Sequence, residues 1–333
     1  AAKDSVANFS FYLGATPDNI DEIKSVDVNR VCGVKVFMGA STGDLLVDHP
    51  DALERIFKEC PILIATHCEQ GEVIKQNQVR VLAECGVSNI EHHPVIRDVE
   101  ACYQSSSYAV SLAKKYNSDL HVLHLTTAKE MSLFEPGPIE NKKITAEACV
   151  HHLWFNQEDY AALGNQIKCN PAVKSEQDRQ ALLAALQEDR IDIIATDHAP
   201  HTWEEKSVPY EQAPAGLPLV EHALLSLLEQ VKRGTMLLTQ VVEKTAHNVA
   251  KRFTIEKRGF IQEGYFADLV LVDPNASTYV THESVRYMCK WTPFNGTTFS
   301  HKIAATLVNG QKVYDGEYVN TKVKAAKALV FNR

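Results

Sequence analysis

Short apolar runs of strand length alternate with amphipathic segments of helical period along most of this 333-residue chain. The alternation predicts a parallel β-sheet with helices packed on it, because parallel strands must be joined through long crossover connections. Several runs are apolar without any polar alternation, which is typical of strands that are covered on both faces. Six strands are predicted in this way: 7–13, 33–38, 62–66, 119–125, 143–148 and 191–196.

The gaps between these strands carry helical patterns. Leu53, Ile56 and Phe57 fall on one face of a helix, and Asp48 and Pro50 before them supply a cap and an early proline. The same spacing predicts further helices over 98–116, 175–188, 217–232 and 238–253.

The pattern changes near residue 254. Short β-prone pieces follow over 267–272, 303–308 and 312–314, with Asn-Gly and Asp-Gly turns beside them. We therefore expect a large α/β unit over residues 1–253 and a small β region over residues 254–333.

Composition narrows the classes of partner. The net charge of −8, without any run of Lys or Arg, argues against nucleic acid or an anionic membrane and favours a small molecule. No apolar stretch is long enough for a membrane span, and no signal segment opens the chain. Eight scattered cysteines without a C-x-x-C pair are typical of reduced core thiols, so a cytoplasmic location is expected.

Nucleotide-binding glycine loops and the serine-hydrolase elbow are missing from the sequence.

Parallel α/β folds place function at the carboxyl ends of their strands. Lys35 lies in a strand where burial would lower the pKa of its amine, and a neutral amine can form a carbamate that bridges two metal ions. The alternative is a lysine that extends to the sheet end. His67 follows the strand over 62–66, where an imidazole could bind a metal or lie in a solvated loop.

His121 and His124 flank two apolar residues of one predicted strand. With a period of two, at most one of them can face the sheet interior, and His124 is the better candidate because it is nearer the carboxyl end. His121 is expected to pack against a helix. Two adjacent pairs, whose side chains would diverge on a strand, are interpreted as structural or as support behind the ligand-binding residues: His92-His93 and His151-His152.

The sharpest signal follows the strand over 191–196, where Asp197 is followed by His198 and His201. A carboxylate at this place can hold a metal and shuttle a proton between water and a leaving group. The alternative, in which Asp197 caps the next helix, is less favoured because two histidines crowd the same turn.

Seven blocks resemble, in order, those of the cyclic amidohydrolases, and most closely those of the dihydroorotases. They are Gly33-Val34-Lys35-Val36-Phe37, Ala65-Thr66-His67-Cys68-Glu69, His121-Val122-Leu123-His124, Thr145-Ala146-Glu147, Lys168-Cys169-Asn170-Pro171, Ala195-Thr196-Asp197-His198-Ala199-Pro200-His201 with Glu204-Glu205-Lys206 behind it, and Gly264-Tyr265-Phe266-Ala267-Asp268-Leu269. The resemblance implies a distorted, TIM-like (β/α)8 barrel with a binuclear zinc site and a β-sandwich at its side.

The resemblance also implies roles for individual residues. Carboxylated Lys35 would bridge two Zn²⁺ ions, His67 and His124 would bind the second ion, and Asp197 would bind the first and act as general acid and base. Substrate contacts are implied for a second group: Asn170, His201 at the ring carboxylate, Ala215 and Gly216 at the pyrimidine ring, and Ser41 and Thr42 in a mobile loop.

Two family features have no match upstream of Lys35. These are the His-x-His of the first barrel strand, which supplies further zinc ligands, and an arginine for the substrate carboxylate. Since Lys35 would lie on the fourth family strand, the resemblance implies that the first two strands, roughly a hundred residues, lie outside this sequence.

The expected function is that of the dihydroorotases, which is reversible hydrolysis of L-dihydroorotate to N-carbamoyl-L-aspartate in pyrimidine synthesis, carried out by a homodimer. Two alternatives remain open at this point. One is another cyclic-amide hydrolase, such as a dihydropyrimidinase, hydantoinase or allantoinase. The other is a catalytically silent, dihydroorotase-like scaffold subunit.

Overall fold

The computed structural model describes residues 1–39 and 45–333. Ser41 and Thr42, the predicted loop contacts, lie outside the described residues. The strands are β1 Tyr12–Gly14, β2 Gly33–Met38, β3 Ile64–Cys68, β4 Leu120–Val122, β5 Ile144–Cys149, β6 Ile193–Ala195, β7 Leu269–Asp273, β8 Thr278–Tyr279, β9 Thr298–Phe299, β10 Lys302–Val308 and β11 Gln311–Tyr314.

The α-helices are α1 Ile20–Lys24, α2 Pro50–Glu59, α3 Gly71–Cys85, α4 His93–Ile96, α5 Val99–Tyr116, α6 Val150–Trp154, α7 Tyr160–Leu163, α8 Glu176–Gln187, α9 Trp203–Lys206, α10 Ala223–Lys232, α11 Leu238–Val242 and α12 Asn248–Arg252. A π-helical segment, Glu243–His247, joins α11 to α12. Short 3₁₀ turns complete the set: Ile90–His92, Lys129–Leu133, Ile139–Asn141, Gln157–Asp159 and Gly164–Ile167.

The first six strands form one parallel sheet in the order β1-β2-β3-β4-β5-β6. The predicted α/β class is therefore confirmed. The ring of Phe253, the residue after α12, contacts both Tyr12 on β1 and His121 on β4, although two other strands lie between β1 and β4. The sheet is therefore curved. Curvature of this kind makes the carboxyl ends of the strands converge.

Alternate residues of the sheet face the helices. Val34, Ile64 and Leu120 are aligned across three neighbouring strands and are fully buried, in one hydrophobic core with Ile56 of α2 and Leu112 of α5. The intervening residues, such as Lys35, point to the opposite face of the curved sheet. The apolar strand residues thus pack against the helices, and the polar strand residues face the other side of the sheet, where they can form a functional site.

The first predicted strand is displaced in the structure. The sequence predicts a strand over 7–13, but β1 begins at Tyr12. Phe9 forms a bridge with Ala328 instead, so the preceding residues pair with the far end of the chain. Local propensity could not show this long-range pairing.

Two of the predicted helices begin with a side-chain cap. The Asp98 side chain accepts a hydrogen bond from the Ala101 N–H at the start of α5, and Ser175 caps α8 in the same way. The helix at Pro50 also forms, but its N-cap is His49 and not Asp48. The segment over 217–232 becomes helical only at Ala223.

The C-terminal region contains a separate antiparallel sheet in the order β11-β10-β7. Asn309 and Gly310, both with positive φ, form the predicted tight turn between β10 and β11. Val308 and Val313 form a small second core, against which Val6 packs. The division at residues 253 and 254 stays a prediction. Within the described residues, no helix is long and apolar enough to cross a membrane.

Candidate active site

One pocket of about 880 Å³ lies at the carboxyl ends of the parallel strands. All the predicted site residues that fall within the described part of the chain line it: Lys35, His67, His124, Asn170, Asp197, His201, Ala215 and Gly216. Residues from distant parts of the sequence are therefore brought together in one concave site.

Lys35 lies in the middle of β2 and is paired in register with Gly14 and Ala65. Burial lowers the pKa of its amine, and the nearby carboxylates of Asp197 and Glu147 partly oppose that shift. Among the described residues, the amine has no hydrogen-bonding partner. A buried amine with a lowered pKa is the state from which a carbamate forms.

His67 and His124 lie next to each other in the pocket wall. Nδ1 of His67 is 3.0 Å from Nε2 of His124, and both residues are buried. Nδ1 of His124 is buried without a partner in the part of the chain that the structure describes. The pair thus presents one ring nitrogen, Nδ1 of His124, that is available to a ligand.

The structure contradicts the prediction that only one of His121 and His124 can face the sheet interior. His121 is aligned with Ala65, which is aligned with Lys35, so His121 lies on the same face as Lys35. Its ring contacts the oxygens of Thr145, at 2.9 Å, and Glu147, at 3.1 Å. β4 ends at Val122, and the positive φ of 39° at His124 breaks the alternation on which the prediction depended.

A buried ion pair lies behind His67. Nε2 of His67 is 3.1 Å from Oε2 of Glu69, and the same carboxylate binds Arg97. Burial opposes the charge of Glu69, but Arg97 and His67 outweigh it and hold the pKa of Glu69 well below its usual range. The sequence analysis assigns no role to Glu69 or Arg97. The position of Glu69, two residues after a histidine at a strand end, could have indicated its role, whereas no sequence pattern marks Arg97.

Asp197 follows β6 with a positive φ of 46° and is exposed at the pocket. The alternative that it caps the next helix is wrong, since Thr202 caps α9. His198 accepts hydrogen bonds from the Leu219 and Val220 N–H groups through Nδ1, and therefore anchors a neighbouring segment.

The opposite wall is built around residues 214–216. Nε2 of His201 lies 3.2 Å from the carbonyl oxygen of Ala215, and the Trp291 indole N–H donates to the His201 carbonyl at 2.7 Å. Gly216 has a φ of 141°, and a Cβ there would come within 2.5 Å of the Ala199 carbonyl oxygen. Only glycine fits this position without displacing the chain.

A buried lysine fixes the same wall. The Lys206 ammonium donates to the carbonyl oxygens of Lys168, Pro214 and Gly216 at 3.1, 2.9 and 3.0 Å. The Gly216 N–H in turn donates to the Lys168 carbonyl at 2.9 Å. The resemblance includes Lys206 behind the Asp-His-Ala-Pro-His turn but implies no role for it.

The histidine pairs interpreted as diverging on strands do not lie on strands. His93 begins α4, is buried, and contacts the Tyr210 hydroxyl at 2.9 Å and the Cys169 carbonyl at 2.8 Å. Burial lowers the pKa of His93 to about 3. His151 and His152 lie in the first turn of α6, with ring centroids only 3.9 Å apart. The assumption that the pairs lie on strands was wrong, because His93 begins α4 and β5 ends at Cys149, before the second pair. Their interpretation as structural or supporting residues stays a prediction.

The donor set around Lys35 fits metal ions. A metal-binding histidine commonly donates its other ring N–H to a carboxylate, and His67 has this relationship to Glu69. The unpartnered Nδ1 of His124 lies in the same wall. Lys35, His67, His124 and Asp197 could therefore hold a metal centre.

Comparison with known proteins defines the class. The model of the amidohydrolase family matches residues 47–313. The chain therefore belongs to the amidohydrolase family. Its six parallel strands with their helices form the α/β barrel fold of this family.

Within the family, the chain is similar to dihydroorotases, as the sequence resemblance predicts. It is 33% identical to the dihydroorotase of Halobacterium salinarum over 96% of the chain and 73% of the relative. It is 29% identical to that of Pyrococcus furiosus over 89% of the chain and 64% of the relative. The chain thus spans about two thirds to three quarters of these two relatives.

A solved structure shows the same fold. L-hydantoinase (dihydropyrimidinase) from Arthrobacter aurescens matches with a TM-score of 0.92 at 25% identity, covering 99% of this chain and 75% of that one. The sequence comparisons therefore indicate similarity to dihydroorotases, and the structural comparison indicates similarity to a hydantoinase.

Proposed function

We propose that the chain carries the active site of a zinc-dependent dihydroorotase, which interconverts L-dihydroorotate and N-carbamoyl-L-aspartate in de novo pyrimidine synthesis. The observation that carries this proposal is the convergence of Lys35, His67, His124 and Asp197 on one pocket. Similarity to dihydroorotases over nearly the whole chain supports the same substrate class.

Two zinc ions bridged by a carboxylated Lys35 are the group that this donor set would hold. Bound zinc supplies polarisation of the ring carbonyl and a lower pKa for the attacking water. Lys35 must lose a proton before it takes up carbon dioxide, and its burial favours the neutral amine.

Asp197 is assigned the proton transfers. Its carboxylate is exposed to the pocket at the end of β6, where it can accept a proton from water and return it to the ring nitrogen that leaves. Asp197 has a positive φ, which is unusual for a residue other than glycine. Such backbone conformations are common at active sites, and this one supports a catalytic role for the side chain.

The wall around His201 is assigned to the substrate. The His201 imidazole would donate a hydrogen bond to the charged ring carboxylate. The one proton of the Gly216 N–H is already donated to Lys168, whereas the Gly216 carbonyl keeps a second lone pair beside its bond from Lys206. The backbone contacts to the ring are therefore assigned to the Ala215 N–H and the Gly216 carbonyl. Asn170, whose Oδ1 is buried and has no partner among the described residues, completes this group.

A hydantoinase or dihydropyrimidinase activity is the second candidate, because the L-hydantoinase structure matches the fold so well. The substrates of such enzymes lack the ring carboxylate. A purified enzyme that hydrolyses dihydrouracil or hydantoin much faster than L-dihydroorotate would favour this candidate over ours.

The test of the proposal is a hydrolysis assay combined with Asp197→Ala. We expect turnover of L-dihydroorotate to fall at least about 10³-fold, with an unchanged melting temperature and zinc bound to the wild-type protein. Retained turnover would remove Asp197 from the mechanism. A wild-type protein that binds neither zinc nor substrate would indicate the silent scaffold instead.

The homodimer, the cytoplasmic location and the division into residues 1–253 and 254–333 are proposed together with this function. The small core around Val308 and Val313 is separate from the large one, but Val280, Phe294 and Phe299 of the second region belong to the large core.

A further inference from the structure

A second group of side chains of the types that can bind a metal ion lies outside the pocket described above. β5 ends at Cys149, and α6 begins at Val150, so Cys149, His151 and His152 are brought together at one strand-to-helix junction. One ligand atom from each of the three residues lies within 4.8 Å of the others. All three residues are buried.

The polar atoms of this cluster are unsatisfied. Both ring nitrogens of His151 and Nδ1 of His152 are buried without a hydrogen-bonding partner in the described part of the chain. The Cys149 thiol likewise makes no hydrogen bond to any described residue. Each such atom costs roughly 1–3 kcal/mol, so several at one place require an explanation.

The second ring nitrogen of His152 shows which atom is free to bind an ion. Nε2 lies 3.1 Å from the carbonyl oxygen of Pro171, and only a protonated nitrogen can donate to that carbonyl. Nδ1 of His152 therefore carries the lone pair. This pattern, in which the remote N–H donates to a carbonyl, is common among metal-binding histidines.

We propose that Cys149, His151 and His152 form a separate binding site for a borderline-soft divalent cation, of which Zn²⁺ is the natural representative. One thiolate and two imidazoles suit zinc and exclude Mg²⁺ and Ca²⁺, which require oxygen ligands. Binding replaces the thiol proton with the ion and satisfies Nδ1 of His152 and one ring nitrogen of His151.

The place of this site in the fold gives it a structural consequence. His152 holds the carbonyl of Pro171, which follows the pocket residue Asn170 directly. An ion on His152 would therefore fix the junction after β5 and the backbone beside Asn170. This inference is independent of the proposed function, since no member of the cluster is among the residues assigned to catalysis.

Cobalt substitution tests the proposal, because a cysteine thiolate gives Co²⁺ a near-ultraviolet charge-transfer band. The proposed catalytic ligands are nitrogens and oxygens and cannot produce that band. We expect the purified protein, loaded with Co²⁺, to show the band, and Cys149→Ser to lose the band and about one equivalent of bound metal.

Cys169→Ser is the matched control. Cys169 is also buried, but its sulfur lies 3.6 Å from Nε2 of His152, on the nitrogen that faces Pro171. This variant should keep the band. A wild-type protein without the band, or a band that survives in Cys149→Ser, would overturn the proposal.

X-ray absorption on the zinc-loaded wild-type protein provides a test that needs no variant to fold. A sulfur neighbour at about 2.3 Å from part of the zinc is expected. A first shell of nitrogen and oxygen alone would refute the site.

Discussion

Nδ1 of His67 lies 3.0 Å from Nε2 of His124, although the two residues are 57 positions apart in the sequence. They meet because β3 and β4 are neighbours and the backbone turns sharply at His124. The other nitrogen of His67 contacts Glu69, which is bound to Arg97. The orientation of the histidine pair therefore depends on a buried carboxylate.

Glu69→Gln should weaken metal binding more than it weakens catalysis by the loaded enzyme. The amide keeps the size of the side chain but loses the charge that holds His67 and Arg97. We expect zinc affinity to fall roughly 10- to 100-fold, as for other groups behind metal ligands. Competition with a zinc chelator measures this, and Glu72→Gln, on the exposed side of α3, is the control. Equal affinities in wild type and Glu69→Gln would contradict the role.

The strands were the part of the fold that could be predicted well from the sequence. The structure has β2 at Gly33–Met38, the predicted range, because an unbroken apolar run has few other solutions. α3 was not predicted, since Val81 is its one buried residue among those of that helix that the structure describes, and no apolar stripe marks it.

The site residues at strand ends could be predicted from the sequence, and those on loops and helices could be predicted less well. Lys35, His67 and Asp197 follow from their position in the strand pattern. His121 was misplaced because the break of the strand at His124 is a backbone property that alternation cannot show. Arg97 and Lys206 were missed because their roles depend on contacts between distant segments.

His201→Ala should change substrate preference. Removing the imidazole takes away the donor assigned to the ring carboxylate, whereas dihydrouracil has no such group. We expect kcat/KM for L-dihydroorotate to fall about 10- to 100-fold, equivalent to about 1.5–3 kcal/mol for a charged hydrogen bond. Activity toward dihydrouracil, measured in the same preparation, should change much less. A parallel loss for both substrates would show that His201 does not read the carboxylate.

Lys206→Met should loosen the wall that holds the substrate. Methionine has a similar length but cannot donate to the carbonyls of Lys168, Pro214 and Gly216. We expect KM to rise and kcat/KM to fall roughly 10- to 100-fold through lost positioning, while bound zinc stays constant. Lys232→Met, an exposed position at the end of α10, is the control. Unchanged KM in Lys206→Met would contradict this role.

His93 should make the protein sensitive to mild acid. Its pKa is about 3 in the folded state because of burial, against 6.5 as the ordinary value. Between these two values the unfolded state binds the proton and the folded state does not, so the stability present above pH 6.5 is lost as the pH falls toward 3. The slope is at most about 1.4 kcal/mol per pH unit.

His93→Gln should flatten that dependence, because the amide can still donate to the Cys169 carbonyl and accept from the Tyr210 hydroxyl. Urea unfolding of the metal-free protein at pH 6.5 and pH 5 measures the effect. We expect the wild type to lose up to about 2 kcal/mol more than His93→Gln over this interval. His92→Gln, the adjacent half-buried residue, should behave like the wild type. If the wild type and His93→Gln lose the same free energy, another group causes the acid sensitivity.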